Sequence, residues 1–103
     1  MLVSVVVPVY NMARYLPFCL ESVLSQEGVA FEVVVVDDGS DDDFESAIAP
    51  YAERVTCVRG PHRGLAQASN IAITNSRGDA IACVDADDLL LPGSLATRAR
   101  LLE

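Results

Sequence analysis

Short apolar runs alternate along this chain with segments in which apolar residues recur at helical spacing. Runs rich in valine and isoleucine that stop at polar or turn-forming residues are typical of strands buried in a parallel sheet. Such runs cover residues 2–9, 31–36, 55–58 and 81–84. The segments between and after them carry one apolar helix face, as in Leu16, Cys19, Leu20, Val23 and Leu24. The order βαβαβαβα predicts an α/β fold with a doubly wound, mainly parallel four-stranded sheet flanked by helices, in a Rossmann-like arrangement.

Capping and turn-forming residues predict where the helices begin and end. Asn11 is expected to cap the first helix and Ser40 or Asp41 the second, and Asp41 to Asp43 are well placed as cap and dipole partners at the start of the second helix. The third helix is predicted over residues 65–76, and Pro92 is expected to open the fourth.

The charge of the chain narrows the classes of function. Its 103 residues carry a formal net charge of −8, and all seven cationic residues are arginines. Nucleic-acid binders need clustered cations, so a nucleic-acid partner is not expected. Because there is no lysine, a Walker-type phosphate loop and Schiff-base chemistry are excluded. A phospho-acceptor receiver domain, also doubly wound with acids at its strand ends, needs a lysine after a late strand and is excluded as well.

Cysteine usage and hydropathy bear on location. Cys19, Cys57 and Cys83 lack the spacing of a zinc site and fall in apolar patterns, which predicts reduced, buried thiols and a cytoplasmic location. No apolar stretch approaches the roughly 20 residues of a membrane span. Residues 1–5 have neither a basic region nor a cleavage site, so we interpret them as strand and not as signal peptide.

The most informative functional segment is residues 81–88, where an apolar run ends in the carboxylates of Asp85, Asp87 and Asp88. Open α/β sheets bind ligands at the carboxyl ends of their strands. Like charges this close repel, so either one carboxyl group is protonated or a cation joins them. Asp85 and Asp87 offer the hard oxygen ligands that suit Mg²⁺ or Mn²⁺. The alternative is a solvated acidic turn before the last helix.

Two further strand ends carry candidate ligand-binding residues. The first strand ends at Tyr10, and an aromatic ring there can cover a planar ligand such as a nucleobase. Alternatively, Tyr10 is a partly buried packing residue. The second strand ends at Asp37 and Asp38, followed by Gly39, which is expected to take a positive φ. One of these carboxylates can accept a hydrogen bond from a ring N–H or a ribose hydroxyl, or both simply solvate a turn.

The loop after the third strand holds the basic residues Arg59, His62 and Arg63. They either meet a diphosphate or balance the acidic surface. His62 is the sole histidine and has no partner nearby in sequence, so a role as a metal or triad ligand is not expected. Ser-His-Asp, Cys-His and glycine-rich phosphate-loop patterns are absent from the sequence.

Six segments of the chain are together specific, although each alone is weak. They are residues 5–11, 22–26, 35–40, 64–70, 78–81, and 85–88 followed by Leu91 and Pro92. In their order and spacing the chain resembles the N-terminal, nucleotide-binding half of family 2 inverting glycosyltransferases, which have the GT-A fold. One departure is Ser69, which stands where the family usually has an arginine.

The resemblance implies a role for each matching residue. Pro8 and Tyr10 would border the base, and Asp38 would contact the edge of uracil or another base. Asp87 would hold the Mg²⁺ or Mn²⁺ that bridges the diphosphate, with Asp85 near the ribose and the metal. The donor-binding set implied by the resemblance is Pro8, Tyr10, Asn11, Asp38, Asn70 and Asp85.

The resemblance also implies what residues 1–103 do. They would form the donor-binding part of a longer enzyme that binds a nucleoside-diphosphate sugar, expected to be a UDP-sugar, for inverting transfer to an acceptor hydroxyl on a saccharide, lipid or protein. The general base and the acceptor site are expected beyond Glu103, so this chain alone is expected to be inactive and to self-associate through an uncovered edge. The alternative is a non-catalytic nucleotide- or metal-binding module, which would share the donor side.

Overall fold

The computed structural model describes residues 1–102, and within them the strands form a single parallel sheet. Its strands are β1 (Leu2–Val9), β2 (Ala30–Asp38), β3 (Thr56–Gly60) and β4 (Ala80–Cys83). The helices are α1 (Leu16–Leu24), α2 (Phe44–Ile48), α3 (Leu65–Thr74) and α4 (Ser94–Leu102), with a short 3-10 turn at Ala49–Tyr51 after α2. The strand order is β3-β2-β1-β4 and every pairing is parallel. The predicted four-stranded α/β architecture is therefore confirmed.

Helices cover both faces of the sheet. Successive strand residues point to opposite faces, and in β1 the odd-numbered valines pack on one face with α1, α2 and α4. Val6 points to the other face, where it packs with Val34, Val36, and Ala68 and Ala72 of α3. The sheet is therefore doubly wound, as predicted.

The strand register brings the candidate ligand-binding segments to one edge. In β1, Val9 pairs with Asp37 of β2, and Val6 pairs with Cys83 of β4. Tyr10, Asp38 and the turn of residues 85–88 therefore all emerge at the carboxyl edge of the sheet, on adjacent strands.

Pro8 lies in the central strand, where a residue without an N–H group usually breaks a ladder. The carbonyl of Val6 faces β4 and accepts the Val84 N–H at 3.0 Å. Pro8 follows Val6 by two residues and so faces the same side, beyond the last paired residue of β4. No ladder bond is lost, and Pro8 can end the strand beside the ligand edge.

The predicted cap of the first helix is wrong, and that of the second is correct only for the last of the residues proposed. Helix α1 begins at Leu16 with Tyr15 as N-cap and no side-chain cap, so Asn11 does not cap it. Asn11 instead takes a left-handed conformation with φ 53°, which asparagine tolerates. Helix α2 is capped by Asp43, the last of the three aspartates predicted there, and not by Ser40 or Asp41; the Asp43 carboxylate accepts the Ser46 N–H at 3.3 Å.

The prediction of three buried thiols is correct only for Cys19. Cys57 and Cys83 are exposed, because they lie on β3 and β4, the two edge strands of the sheet. All three cysteines are free. Among residues 1–102, no helix has the length and apolar character needed to cross a membrane.

Candidate functional site

The carboxylate of Asp38 is buried and bound by the loop that follows β3. Only 6 % of Asp38 is exposed. Its oxygens accept the backbone N–H groups of Arg63 at 2.8 Å and Gly64 at 3.0 Å. Burial alone would raise the pKa of this carboxyl group, but these hydrogen bonds and the neighbouring His62 hold the pKa below its usual value. Asp38 is thus an ionised acceptor at neutral pH.

The contacts of His62 with Tyr10 and Asp38 are what sequence reasoning missed. Its ring stacks on Tyr10 with the centroids 4.0 Å apart and the planes 26° from parallel. Its Nδ1 atom lies 2.8 Å from an oxygen of Asp38. His62 is 24 residues from Asp38 and 52 from Tyr10 in sequence, so a search for local partners could not find these contacts.

A small cavity opens beside these three side chains, and we call it the base-side cavity. It has a volume of about 150 Å³ and is lined by Pro8, Val9, Tyr10, Asp38, His62, Leu65 and Ala68. One aromatic ring and one buried anionic acceptor therefore face the same space, which suits a planar ligand carrying a ring N–H group.

Asp37 has a different role from Asp38. It is 2 % exposed, and its carboxylate accepts the Ser40 N–H at 3.1 Å and the Arg59 Nε–H at 3.2 Å. Arg59 also pairs with Glu45 and lies over the Phe44 ring, 5.1 Å from its centroid. Both carboxylates are therefore bonded within the fold and do not merely solvate a turn. Arg59 is held by Asp37 and Glu45.

Gly39 and Asn11 shape the loops around the base-side cavity. Gly39 has φ +73°, as predicted, and a Cβ atom there would come within 3.0 Å of the His62 Cα atom and the Pro61 carbonyl carbon. Asn11 joins the two loops, because its N–H donates to the Ser40 hydroxyl at 3.0 Å and its side-chain oxygen accepts the Asp41 N–H at 2.8 Å. The loops after β1, β2 and β3 thus hold one another.

The second part of the site is the acidic turn, formed by Asp85, Asp87 and Asp88. These three exposed residues can each place a carboxylate oxygen so that the three oxygens lie within 4.8 Å of one another. The Asp88 N–H donates to the Asp85 carbonyl at 2.9 Å, which closes the turn. Ala86 between them is buried at 3 % exposure, so the flanking carboxylates project outward. Three hard oxygen donors fit Mg²⁺ or Mn²⁺.

The buried thiol of Cys19 lies directly behind the acidic turn. Its Sγ atom is 3.6 Å from the Asp85 carbonyl oxygen. Burial, followed by the negative charges of Asp88, Asp87 and Asp85, raises the pKa of Cys19 to about 11. The thiol is therefore a neutral donor at physiological pH.

Asn70 lies apart from the base-side cavity. It is exposed in α3, and its carbonyl accepts the Thr74 hydroxyl at 2.9 Å. The cavity wall is instead formed on this helix by Leu65 and Ala68. The role of Asn70 in ligand binding stays a prediction.

Comparison with known proteins identifies the family. The profile of Glycosyl transferase family 2 matches residues 4–103. The glycosyltransferase GlyG of Streptococcus pneumoniae is 37 % identical over 100 residues, which cover 93 % of this chain and 33 % of GlyG. The chain belongs to glycosyl transferase family 2.

Two solved structures share the fold at moderate identity. TarS 1–349 of S. aureus in complex with UDP-GlcNAc has a TM-score of 0.85 and 30 % identity, covering 99 % of this chain and 31 % of that one. The mannosyltransferase PcManGT of Pyrobaculum calidifontis in complex with GDP-Man and Mn²⁺ has a TM-score of 0.90 and 34 % identity, covering 97 % and 32 %. These likenesses confirm the GT-A-type fold. The chain spans a third or less of the length of the curated relatives it matches, from 33 % down to 14 %.

Because the pKa of Asp38 is lowered in the folded protein, this carboxylate stabilises the fold above the ordinary pKa of a carboxyl group. That contribution is lost as the pH falls through the lower folded-state pKa. We expect Asp38→Asn to lower the free energy of unfolding at pH 7 by about 1–3 kcal/mol, and to lose less stability than the wild type on acidification to pH 3. Chemical denaturation at the two pH values measures both effects.

The matched control is Asp41→Asn, which removes a carboxylate from an exposed position nearby. It should change the free energy of unfolding at pH 7 by no more than about 0.5 kcal/mol. Equal losses in the two variants would contradict the role of Asp38.

Proposed function

We propose that this domain binds a nucleoside-diphosphate sugar, together with Mg²⁺ or Mn²⁺, across the carboxyl edge of its sheet, for inverting transfer of the sugar to an acceptor hydroxyl. The observation that carries the proposal is the position of the base-side cavity and the acidic turn. Asp38 of the cavity ends β2 and the acidic turn follows β4, the two strands that flank β1. Two strand spacings separate them, about 10 Å, and a nucleotide can extend across this gap with its base at one end and its diphosphate at the other.

At the base end, we propose that Tyr10 packs on the ring and Asp38 accepts its N–H group, with Pro8 bordering the base. An ionised carboxylate offers about four acceptor positions. Three are taken by Arg63 N, Gly64 N and His62 Nδ1, which leaves one for the ligand. Uracil and guanine both carry a ring N–H donor. The small volume of the cavity, about 150 Å³, favours the one-ring uracil and hence a UDP-sugar.

His62 has a part in this proposal because it already contacts both groups that would read the base. Its ring covers one face of Tyr10 at 4.0 Å, so a base cannot enter between the two rings without moving His62. The base would therefore bind in the cavity with His62 as a wall.

At the diphosphate end, we propose Asp87 as the main protein ligand of the cation, with Asp85 assisting directly or through water. A bound cation supplies positive charge to the leaving nucleoside diphosphate. Asp87 and Asp85 would hold that cation, and Asp85 would also lie near the ribose. Asn11 and Asn70 are proposed to contribute to donor binding. Asn11 does so by fixing the loop beside the base.

We also propose a cytoplasmic location. The three cysteines are free, and Cys57 and Cys83 are exposed. Exposed free thiols persist in reducing compartments, whereas oxidising compartments convert them to disulfides.

The test of the cation site is Asp87→Asn. Mg²⁺ and Mn²⁺ keep several waters and share ligands with substrate phosphates, so we expect Mn²⁺ to bind more tightly when UDP is present. Removing a direct ligand should weaken Mn²⁺ binding by at least the roughly 10–100-fold seen when a ligand loses its supporting partner. Calorimetric titration of Mn²⁺ in the presence of UDP measures the change.

The control for this titration is Asp79→Asn, which makes the same charge change before β4, at the opposite end of that strand. Asp79 accepts the Leu2 N–H there at 2.8 Å. Mn²⁺ affinity should be unchanged in this variant. Unchanged affinity in Asp87→Asn would remove Asp87 from the cation site.

The test of the base site compares UDP with CDP, because cytosine lacks the ring N–H donor of uracil. Asp38→Ala should weaken UDP binding by about 1.5–3 kcal/mol, the usual contribution of a hydrogen bond to a charged group, and should abolish the preference over CDP. Tyr10→Ala should weaken both nucleotides, while Tyr10→Phe keeps the ring and should bind normally. If Asp38→Ala retains the preference for UDP, the carboxylate only holds the loop.

The third test concerns what residues 1–103 do alone, for which we propose donor binding without sugar transfer. Four acids near the ligand edge already have other roles: Asp37 and Asp38 are bound by the loops, Asp42 accepts the Ala13 N–H at 2.9 Å, and Asp43 caps α2. A missing general base costs about 10²–10⁴ in rate, and missing acceptor orientation about 7–11 kcal/mol of the barrier. An assay across UDP-sugars should detect no transfer, and robust turnover would show that a base has been overlooked.

We also propose that residues 1–103 alone self-associate. Edge strand β4 and helix α4 border an apolar cavity of about 380 Å³, and Ile81, Leu101 and Leu102 are exposed beside it. Such an edge invites pairing with another chain. Light scattering measures the association, which Ile81→Lys should reduce; a strictly monomeric wild type would contradict it.

A further inference from the structure

Polar side chains on and just after helix α1 face the segment that carries the acidic turn. Cys19 and Ser22 are three residues apart and lie on the same side of the helix, and Gln26 follows the helix end. We call these three residues the α1 polar stripe. Cys19 is buried, Gln26 is only 7 % exposed and Ser22 is partly buried, so most of the stripe is covered by other parts of the chain.

Each residue of the α1 polar stripe bonds to the backbone of residues 85–95. The Cys19 thiol lies 3.6 Å from the Asp85 carbonyl oxygen. The Ser22 hydroxyl accepts the Leu90 N–H at 3.0 Å while donating to the Cys19 carbonyl at 2.7 Å. The stripe therefore holds the segment both at the acidic turn and just after it.

Gln26 makes the most complete set of contacts. Its amide N–H₂ group donates to the Leu91 carbonyl at 2.9 Å and to the Ser22 carbonyl at 3.1 Å. Its amide oxygen accepts the Leu95 N–H at 3.2 Å. Leu95 is in the first turn of α4, where backbone N–H groups lack partners within the helix. One side chain thus ends helix α1, fixes the loop and caps helix α4.

The acidic turn needs support from outside itself. Three carboxylate oxygens within 4.8 Å of one another repel while they are ionised. The bond from Asp88 N–H to the Asp85 carbonyl at 2.9 Å closes the turn but does not fix its position relative to the sheet. A turn that already holds its ligands in place loses less freedom when the cation binds.

We infer that Ser22 and Gln26 are positioning residues of the cation site, which act on Asp85 and Asp87 through the backbone of residues 85–95. The inference rests on the proposed donor-binding function and adds to it residues that touch neither the cation nor the nucleotide. It also gives a physical role to residues 22–26, one of the six segments that carry the family resemblance.

The test is a Mn²⁺ titration in the presence of UDP, followed by electron paramagnetic resonance of the free ion. Gln26→Leu removes the bonds to Leu91 and Leu95, and Ser22→Ala removes the bond from Leu90. Both should weaken Mn²⁺ binding, by about the 10–100-fold that loss of a supporting partner causes in metal sites. Ser22→Thr keeps the hydroxyl and should restore the affinity. Hydrogen exchange at the Leu90 and Leu95 amides should become faster in the weakened variants.

The matched control is Glu32→Gln, at the amino edge of the sheet. The Glu32 carboxylate accepts the Ser4 hydroxyl at 2.6 Å and also the Arg77 N–H, so this change also damages a network of hydrogen bonds across the fold. It should lower the Tm without changing Mn²⁺ affinity. If Gln26→Leu and Ser22→Ala lower the Tm but bind Mn²⁺ as the wild type does, the stripe is only structural and the inference is wrong.

The titration also separates this inference from the proposed function. A wild-type protein that binds no Mn²⁺ in the presence of UDP overturns both. Binding by the wild type that is lost in Asp87→Asn but kept in Gln26→Leu and Ser22→Ala overturns the positioning role alone.

Discussion

Strand β1 is paired on both sides, with β2 and with β4, and this pairing places the base-side cavity and the acidic turn at the same edge of the sheet. The three strands run in the same direction, so their carboxyl ends open at one edge of the sheet. Eight residues of β1 pair with β2, from Leu2 with Ala30 to Val9 with Asp37. A shift of one residue would turn the valines of β1 from one face to the other. The register that buries the core is therefore the register that aligns the site.

Buried polar side chains bond the loops to the sheet and so fix the conformations of the loops. Asp38 binds two backbone N–H groups of the loop after β3, and Gln26 binds both the loop after β4 and the start of α4. A buried polar group left without a partner costs about 1–3 kcal/mol. In the part of the chain that the structure describes, every buried side-chain nitrogen and oxygen has a partner. The conformations of the loops are accordingly linked to the core and not set by each loop alone.

The strands, the helices and the shared edge could be predicted from the sequence, because valine-rich runs and helical spacing are local patterns. The caps were less predictable, since Asn11 and Ser40 bond to each other's loops across 29 residues and not to the helices that follow them. The contacts of His62 with Asp38 and Tyr10 could not be predicted, because they arise only when β3 pairs beside β2. Gln26 is similar: its partners lie 65 and 69 residues away, and no local pattern encodes that distance. The exposure of Cys57 and Cys83 depended on strand order, which periodicity does not contain.

The Asp38 carboxylate is held by main-chain N–H groups, and this has a consequence for how the site can change. The N–H groups of Arg63 and Gly64 stay in place when the side chain at position 62 changes, whereas the contact from His62 Nδ1 to Asp38 is lost. Gly64 is less free to change, because its φ of +103° disfavours other residues. The two main-chain N–H groups that hold the anion are thus separate from the side chains of Tyr10, His62 and Leu65 that surround the ligand. Substitutions can alter which ring fits the cavity without rebuilding the loop that supports it.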